Sequence, residues 1–210
     1  LETATAARFR QLSTTKDFLR DVVRPLKFIS RLTGKGAPFS RVKQTTQFVV
    51  GAASETDAEL VEASWRLYRK LGLCRVYFSA YQRGAGADDL PGESSGGANA
   101  DLLMREHRLY QVDWLMRKYG FKSDEIPFDA EGKLYLDIDP KEAWARAHPG
   151  FFPVRINSDP PERLLRVPGF GEITVKRILE RRRSGGRIGS LEGLGRQTRT
   201  LKRSLPYIRF

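Results

Sequence analysis

Cysteine is nearly missing from this chain: Cys74 is the only one in 210 residues. A single thiol excludes a disulfide framework and any cysteine-built metal site within the chain. Histidine is almost as scarce, and His107 and His148 are too few to make a zinc site. No apolar run is long enough to span a bilayer, and no segment has the make-up of a signal peptide. These absences set the cytoplasm as the expected compartment. An initiator methionine is missing too, because the chain opens Leu1-Glu2-Thr3. A fragment or a processed product is expected.

Acidic residues are short in one region only. From Arg155 to Phe210 there are 14 Lys and Arg against 5 Asp and Glu, whereas the preceding 154 residues hold 23 against 20. A near-neutral body with a basic C-terminal quarter predicts a polyanion-binding module joined to something else. A membrane surface is the rival polyanion. The sequence offers it no Lys/Arg-flanked apolar helix with a strong one-sided face. Apolar residues make up 40% of the chain, enough for packed cores.

What is present begins with helical spacing over 4–12 and 16–32, where Phe18, Leu19, Val22, Val23, Leu26 and Ile29 recur at steps of three and four. Thr14 or Thr15 suits the second N-cap, and Gly34, Gly36 and Pro38 break the pattern. Thr45–Val50 reads as a strand ending at Gly51. Ser54 or Thr56 then caps a helix to Leu71, stopped by Gly72, and Cys74–Tyr81 reads as a second strand. Strand, helix, strand predicts parallel pairing through a right-handed crossover. Two strands alone are not a stable sheet, so further strands must come from elsewhere.

Residues 83–100 are rich in Gly, Ala, Ser and Asp and are expected to form a flexible surface loop. A helix over Asp101–Tyr119, an edge-strand segment at Lys133–Ile138 and a helix over Pro140–Ala147 follow, with Pro149-Gly150 ending the body. Gly51-Ala52-Ala53-Ser54-Glu55 lacks the Gly-Lys-Ser/Thr end of a phosphate loop. Asp57, Glu59 and Glu62 suit the start of their helix. Asp137 and Asp139 read as a solvated strand end rather than metal ligands, and Glu106 and Asp113 as ion-pair partners of nearby arginines.

The basic quarter carries the sharpest motif. Ser158 or Asp159 suits an N-cap, with Pro160 or Pro161 in the first turn. Leu164, Leu165 and Val167 lead to Pro168-Gly169-Phe170-Gly171, and a second helix runs from Glu172 to Arg183 with Ile173, Val175, Ile178 and Leu179 as its expected buried face. Gly169 and Gly171 permit positive φ and a close backbone approach to a ligand. Unpaired N–H groups at the next helix start, backed by its dipole, make a place for a phosphate oxygen. Thr174, Lys176 and Arg177 lie one turn on, Arg181 to Arg183 add attraction, and Phe170 is expected to plug the space between the helices. The plain alternative is a tight helix–helix turn.

Residues 155–183 resemble the helix-hairpin-helix family. The resemblance implies a grip on the nucleic-acid backbone that carries no sequence information and weakens steeply with salt. On it, the candidate nucleic-acid residues are Gly169, Phe170, Gly171, Thr174, Lys176, Arg177 and Arg181, with DNA as the partner and structured RNA as a second one. Glu172 departs from the pattern, being acidic near the expected phosphate. Residues 190–208 read as a degenerate second copy with Gly193-Leu194-Gly195 as its turn.

Three further runs go together: Gln44 to Ala52 followed by Glu55-Thr56-Asp57, Arg75 to Gln82, and Arg105 to Trp114 (REHRLYQVDW). Together they resemble the later part of a radical SAM barrel. More narrowly, they are similar to radical SAM proteins assigned to DNA modification or repair, which end in a helix-hairpin-helix. The resemblance implies an α/β partial, TIM-like barrel portion over 1–154 followed by a small all-α hairpin domain over 155–210. It also implies S-adenosylmethionine and a [4Fe–4S] cluster as cofactors, with Gln47, Gly51, Tyr77 and Ser79 near S-adenosylmethionine. The family's three cluster cysteines, spaced C-x₃-C-x₂-C, are absent. The chain is therefore expected to be the C-terminal part of a longer enzyme whose missing barrel half holds the cluster. The alternative is a non-catalytic hairpin protein that lacks the cluster.

Overall fold

The computed structural model describes residues 3–84, 87–94, 98–195 and 198–210. The body opens with α1 (Ala6–Leu12) and a π-helical turn, Phe18–Val23, that runs into α2 (Arg24–Thr33). Asp17 caps that turn, accepting from the Arg20 N–H, instead of Thr14 or Thr15. The helical spacing is borne out, and its apolar stripe is only partly covered, with Phe18, Val22, Val23 and Leu26 half-buried. α2 buries no residue, and Leu19, Phe28, Ile29, Phe39 and Val42 stay exposed. α2 is also strongly one-sided, with Arg24, Lys27 and Arg31 along it. The structure thus contains the kind of helix whose absence weighed against a membrane surface. Among the described residues no helix is long and apolar enough to cross a membrane.

β1 (Thr45–Val50), α3 (Asp57–Leu71) and β2 (Arg75–Ala80) form the expected crossover unit, with the strands parallel and in register from Thr45 opposite Arg75 to Val50 opposite Ala80. Thr56 and Glu59 make a reciprocal capping box at the start of α3, and Gly72 ends it at φ +65°. α4 (Pro91–Ser94) interrupts the expected loop, and α5 (Asn99–Lys118) follows. Residues 85–86 and 95–97 of that loop lie outside the described residues.

α3 and α5 cover one face of the sheet, burying Phe48, Val50, Val76 and Phe78 against Leu60, Val61, Leu109 and Val112. Gln47 and Tyr77 sit opposite each other on the uncovered face and are exposed. The two sheet edges differ. On the outer edge of β2, the N–H groups of Val76, Phe78 and Ala80 donate to Tyr68 Oη (2.9 Å), Tyr110 Oη (3.1 Å) and Glu106 Oε2 (2.7 Å). Those side chains occupy the donors a neighbouring strand would need. On β1, Val50 faces β2, since its carbonyl accepts from Tyr81 N–H. By alternation Thr45, Gln47 and Val49 turn their backbone groups the other way, and among the described residues no strand or side chain meets them. The sheet is sealed at β2 and open at β1.

Lys133–Ile138 forms no strand; Asp129 and Asp57 accept its Lys133 and Leu134 N–H groups at 2.8 Å each. α6 (Pro140–Ala147) is capped by Asp139, whose carboxylate accepts from the Lys141 and Glu142 N–H groups. Asp139 is therefore a helix cap rather than a solvated strand end.

The C-terminal unit has its own core, built on Val154, Ile156, Leu164, Val167, Phe170, Ile178 and Leu194. It contains β3 (Val154–Arg155), α7 (Pro161–Leu165), α8 (Glu172–Arg183), α9 (Arg199–Lys202) and β4 (Ile208–Arg209). β3 and β4 pair in parallel, so the unit is not all-α, and a boundary drawn at 154/155 falls inside β3. Pro160 is the N-cap of α7. Asp159 instead turns back to accept from the backbone and guanidinium of Arg155.

Candidate nucleic-acid interface

The hairpin turn is a tight reverse turn. Phe170 N–H donates to the Val167 carbonyl at 3.1 Å, with Pro168 and Gly169 between them and Gly169 at φ +86°. Proline then a positive-φ glycine is the arrangement of a type II turn. Gly171 begins α8 in extended backbone, and no side chain caps the helix. The first helical bond runs from Val175 N–H to the Gly171 carbonyl at 3.0 Å. Among the described residues, the N–H groups of Gly171, Ile173 and Thr174 meet no acceptor. Helix polarity makes these groups a place for an anion.

The glycines do not behave as expected of ligand-facing residues. A Cβ on Gly169 would stand 2.2 Å from the Thr200 carbonyl, so its small size serves packing against α9. A Cβ on Gly171 would meet only the Tyr119 hydroxyl, at 3.3 Å. Phe170 is buried, the plug its sequence position implied, and its side chain is not a contact surface. Ile173 departs most from the expected buried face, at 69% exposed, because it lies across the helix from Val175 and Ile178.

The cations divide by role. Lys176 is exposed and, among the described residues, reaches only Glu180, at 3.8 Å. Arg177 donates to the Leu194 carbonyl at 3.0 Å, so it pins the second turn to α8 rather than standing free. Arg181 is exposed and lies against Gly186, and Thr174 is half-buried beside the helix start. Arg182, expected with Arg181 and Arg183 to add attraction for a phosphate, instead clamps the carbonyls of Ile156 (2.9 Å) and Asp159 (2.7 Å). Arg199, Lys202 and Arg203 are exposed on and beside α9, and no carboxylate lies within ion-pair distance of them among the described residues.

The expected second copy is partly present. Leu191–Leu194 is a 3-10 turn and Leu194 is buried as Phe170 is, but the positive φ falls on Gly195, the counterpart of the extended Gly171, and not on Gly193. Residues 196 and 197 of this copy lie outside the described residues.

The turn also faces the body. Lys141 Nζ donates to the Phe170 carbonyl at 2.5 Å and sits 4.4 Å from the Tyr119 ring centre. Burial pushes the Lys141 ammonium down to about 7, against weak support from Asp139. Arg166 joins Glu125 at 2.5 Å and stacks over Phe121 and Trp144 at 4.0 and 4.7 Å. Burial works to raise the Glu125 carboxyl, but Arg166 and the Lys122 N–H outweigh it and hold the group below its ordinary value. A cleft of about 280 Å³ stays open between the turn and α5, with Trp114, Tyr119, Lys141, Gly169, Gly171 and Arg203 around it.

The residues matched to S-adenosylmethionine are only partly brought together. Gln47 and Tyr77 are neighbours on the uncovered sheet face, with Ser79 two residues along. Gly51 is not presented to that face. Its N–H donates to Glu55 Oε1 at 2.6 Å, and its Cα faces Leu102. The Glu55 carboxylate also takes the Ala53 N–H and lies 3.4 Å from Arg105, so this loop binds its own anion. Burial raises the Glu55 carboxyl in spite of those partners. For an iron–sulfur cluster the chain supplies one cysteine, exposed just before β2. These residues do not fit that group. Asp113 pairs with Arg117 at 2.7 Å as expected, whereas Glu106 serves the β2 edge.

No family model, no curated protein and no solved structure matches the chain.

Proposed function

We propose that the C-terminal unit holds the sugar–phosphate backbone of DNA without reading its sequence, through the turn 166–171 and the start of α8. The observation that carries this reading is the uncapped helix start beside exposed cations. Three N–H groups without acceptors follow the turn, and Lys176, Lys202 and Arg203 stand exposed on the same small unit. Phosphate contacts of this kind position a duplex and carry no base information. Glu172 opposes the phosphate only from an exposed site, where solvent screens it.

The body, on this reading, is the C-terminal part of a radical SAM barrel that acts on DNA. Support comes from parallel strands with helices on one face only, an uncovered face bearing Gln47 and Tyr77, and an unpaired β1 edge where further strands could join. A non-catalytic hairpin protein is the second reading, favoured by the occupation of the Gly51 amide by Glu55. Coding sequence upstream of Leu1 that contains C-x₃-C-x₂-C supports the first; upstream sequence without it supports the second.

The backbone-binding claim is tested with Lys176→Glu combined with Lys202→Glu. Affinity for random duplex DNA should fall about tenfold or more at low salt, with the melting temperature unchanged. Undiminished affinity contradicts the assignment.

A further inference from the structure

We infer that the cleft between α5 and the hairpin turn receives one unstacked nucleobase of the strand whose phosphate the hairpin holds. This rests on the backbone-binding reading above and adds a second subsite to it.

The cleft has the size for one planar group. Its volume, about 280 Å³, lies just below that of most small-molecule pockets, roughly 300–1,000 Å³. A duplex cannot enter it; a base turned out of the stack can. Trp114 supplies an indole on one wall, 41% exposed. Arg117 and Lys118 each stand 5.9 Å from its ring centre, and the ring surface they leave exposed can stack a nucleobase whatever its identity. Tyr119 also lines the cleft, with its hydroxyl close to Gly171, and the turn adds Pro168, Gly169 and Phe170 to the lining.

Charge sorts the parts of a nucleotide between cleft and rim. Asp139 and Glu142 line the cleft, so a phosphate drawn inside would meet two carboxylates. Both are already engaged, Asp139 by the start of α6 and by Gln111, Glu142 by Arg146. An uncharged base suffers no such repulsion. The phosphate is met instead by Arg203, the exposed cation of the same lining, and by the N–H groups at the start of α8. Lys141 forms part of the lining with a polar N–H that its bond to the Phe170 carbonyl does not exhaust.

The experiment compares two probes with the full chain: a fully paired duplex of arbitrary sequence, and the same duplex carrying one extrahelical adenosine. Affinities are read by fluorescence anisotropy at low salt. The wild-type protein should bind the bulged duplex roughly 5- to 150-fold more tightly, the range for stacking one base on an aromatic side chain. Trp114→Ala should erase that preference while leaving the paired-duplex affinity unchanged, and Trp114→Phe should keep part of it. Equal affinity for the two duplexes, or a preference that survives Trp114→Ala, overturns the base subsite and leaves the backbone grip standing. No binding to either duplex brings down both.

Discussion

The side chain of Lys141, at the start of α6, donates to the carbonyl of Phe170 in the hairpin turn, and so ties the basic unit to the body. The group is buried and titrates near 7 rather than at the usual lysine value. Its folded value is depressed, so between about 7 and 10.5 the unfolded chain binds more protons than the folded one. Stability should therefore rise through this window, and the burial penalty is fully present below it. The shift corresponds to roughly 3–5 kcal/mol. Thermal melts of wild type and Lys141→Met at pH 6.5 and pH 9.5 check the sign: wild type should gain on the variant at the higher pH. A constant difference would contradict a buried, neutralised lysine.

Gly169 and Gly171 separate packing from ligand approach. Gly169→Ala places a Cβ against the Thr200 carbonyl at positive φ and should cost more than about 2 kcal/mol in denaturant unfolding. Gly171→Ala meets only a movable hydroxyl and should cost under about 1 kcal/mol. If Gly171 borders the phosphate, its variant should lose DNA affinity out of proportion to that small cost. Matched losses in both assays would make the turn structural only.

Arg177 and Lys176 are adjacent in sequence but differ in work. Arg177→Met leaves the Leu194 carbonyl without its donor and should cost about 1–2 kcal/mol in stability. Lys176→Met should leave stability within about 0.5 kcal/mol and lower DNA affinity instead. Reversed effects would exchange the roles assigned here.

Arg166 joins the units through Glu125 and two aromatic rings. Because the Glu125 carboxyl is held low, the pair's contribution is present above the ordinary carboxylate pKa and is lost as pH falls through the lowered value. Arg166→Met should increase hydrogen exchange across 119–126 and the hairpin turn at neutral pH. Unchanged exchange would show that Lys141 alone suffices.

Local chemistry was legible in the residues. The capping box of Thr56 and Glu59, the stop at Gly72 and the bounds of α8 each follow from neighbours within a few positions. Of the two glycines expected to permit positive φ, Gly169 takes it and Gly171 is extended, and what Gly51 and Gly169 face was not legible. Leu102 and Thr200 are 51 and 31 positions away, and only the fold brings them near. The same holds for Tyr68, Tyr110 and Glu106 on the β2 edge, because helix periodicity says which face a side chain takes but not which strand donor it meets. Arg182 and Lys141 looked like ordinary basic surface residues. A basic composition conceals which cations close carbonyls and which stay free.

The measurement that bears most directly on the central claim is the salt dependence of binding to two unrelated duplexes of equal length. If the hairpin holds three to five phosphates, log Kd should climb linearly with log salt with a slope of about 3–4.5, and the two duplexes should agree within about twofold. A flat salt profile, or a tenfold preference for either sequence, would contradict it.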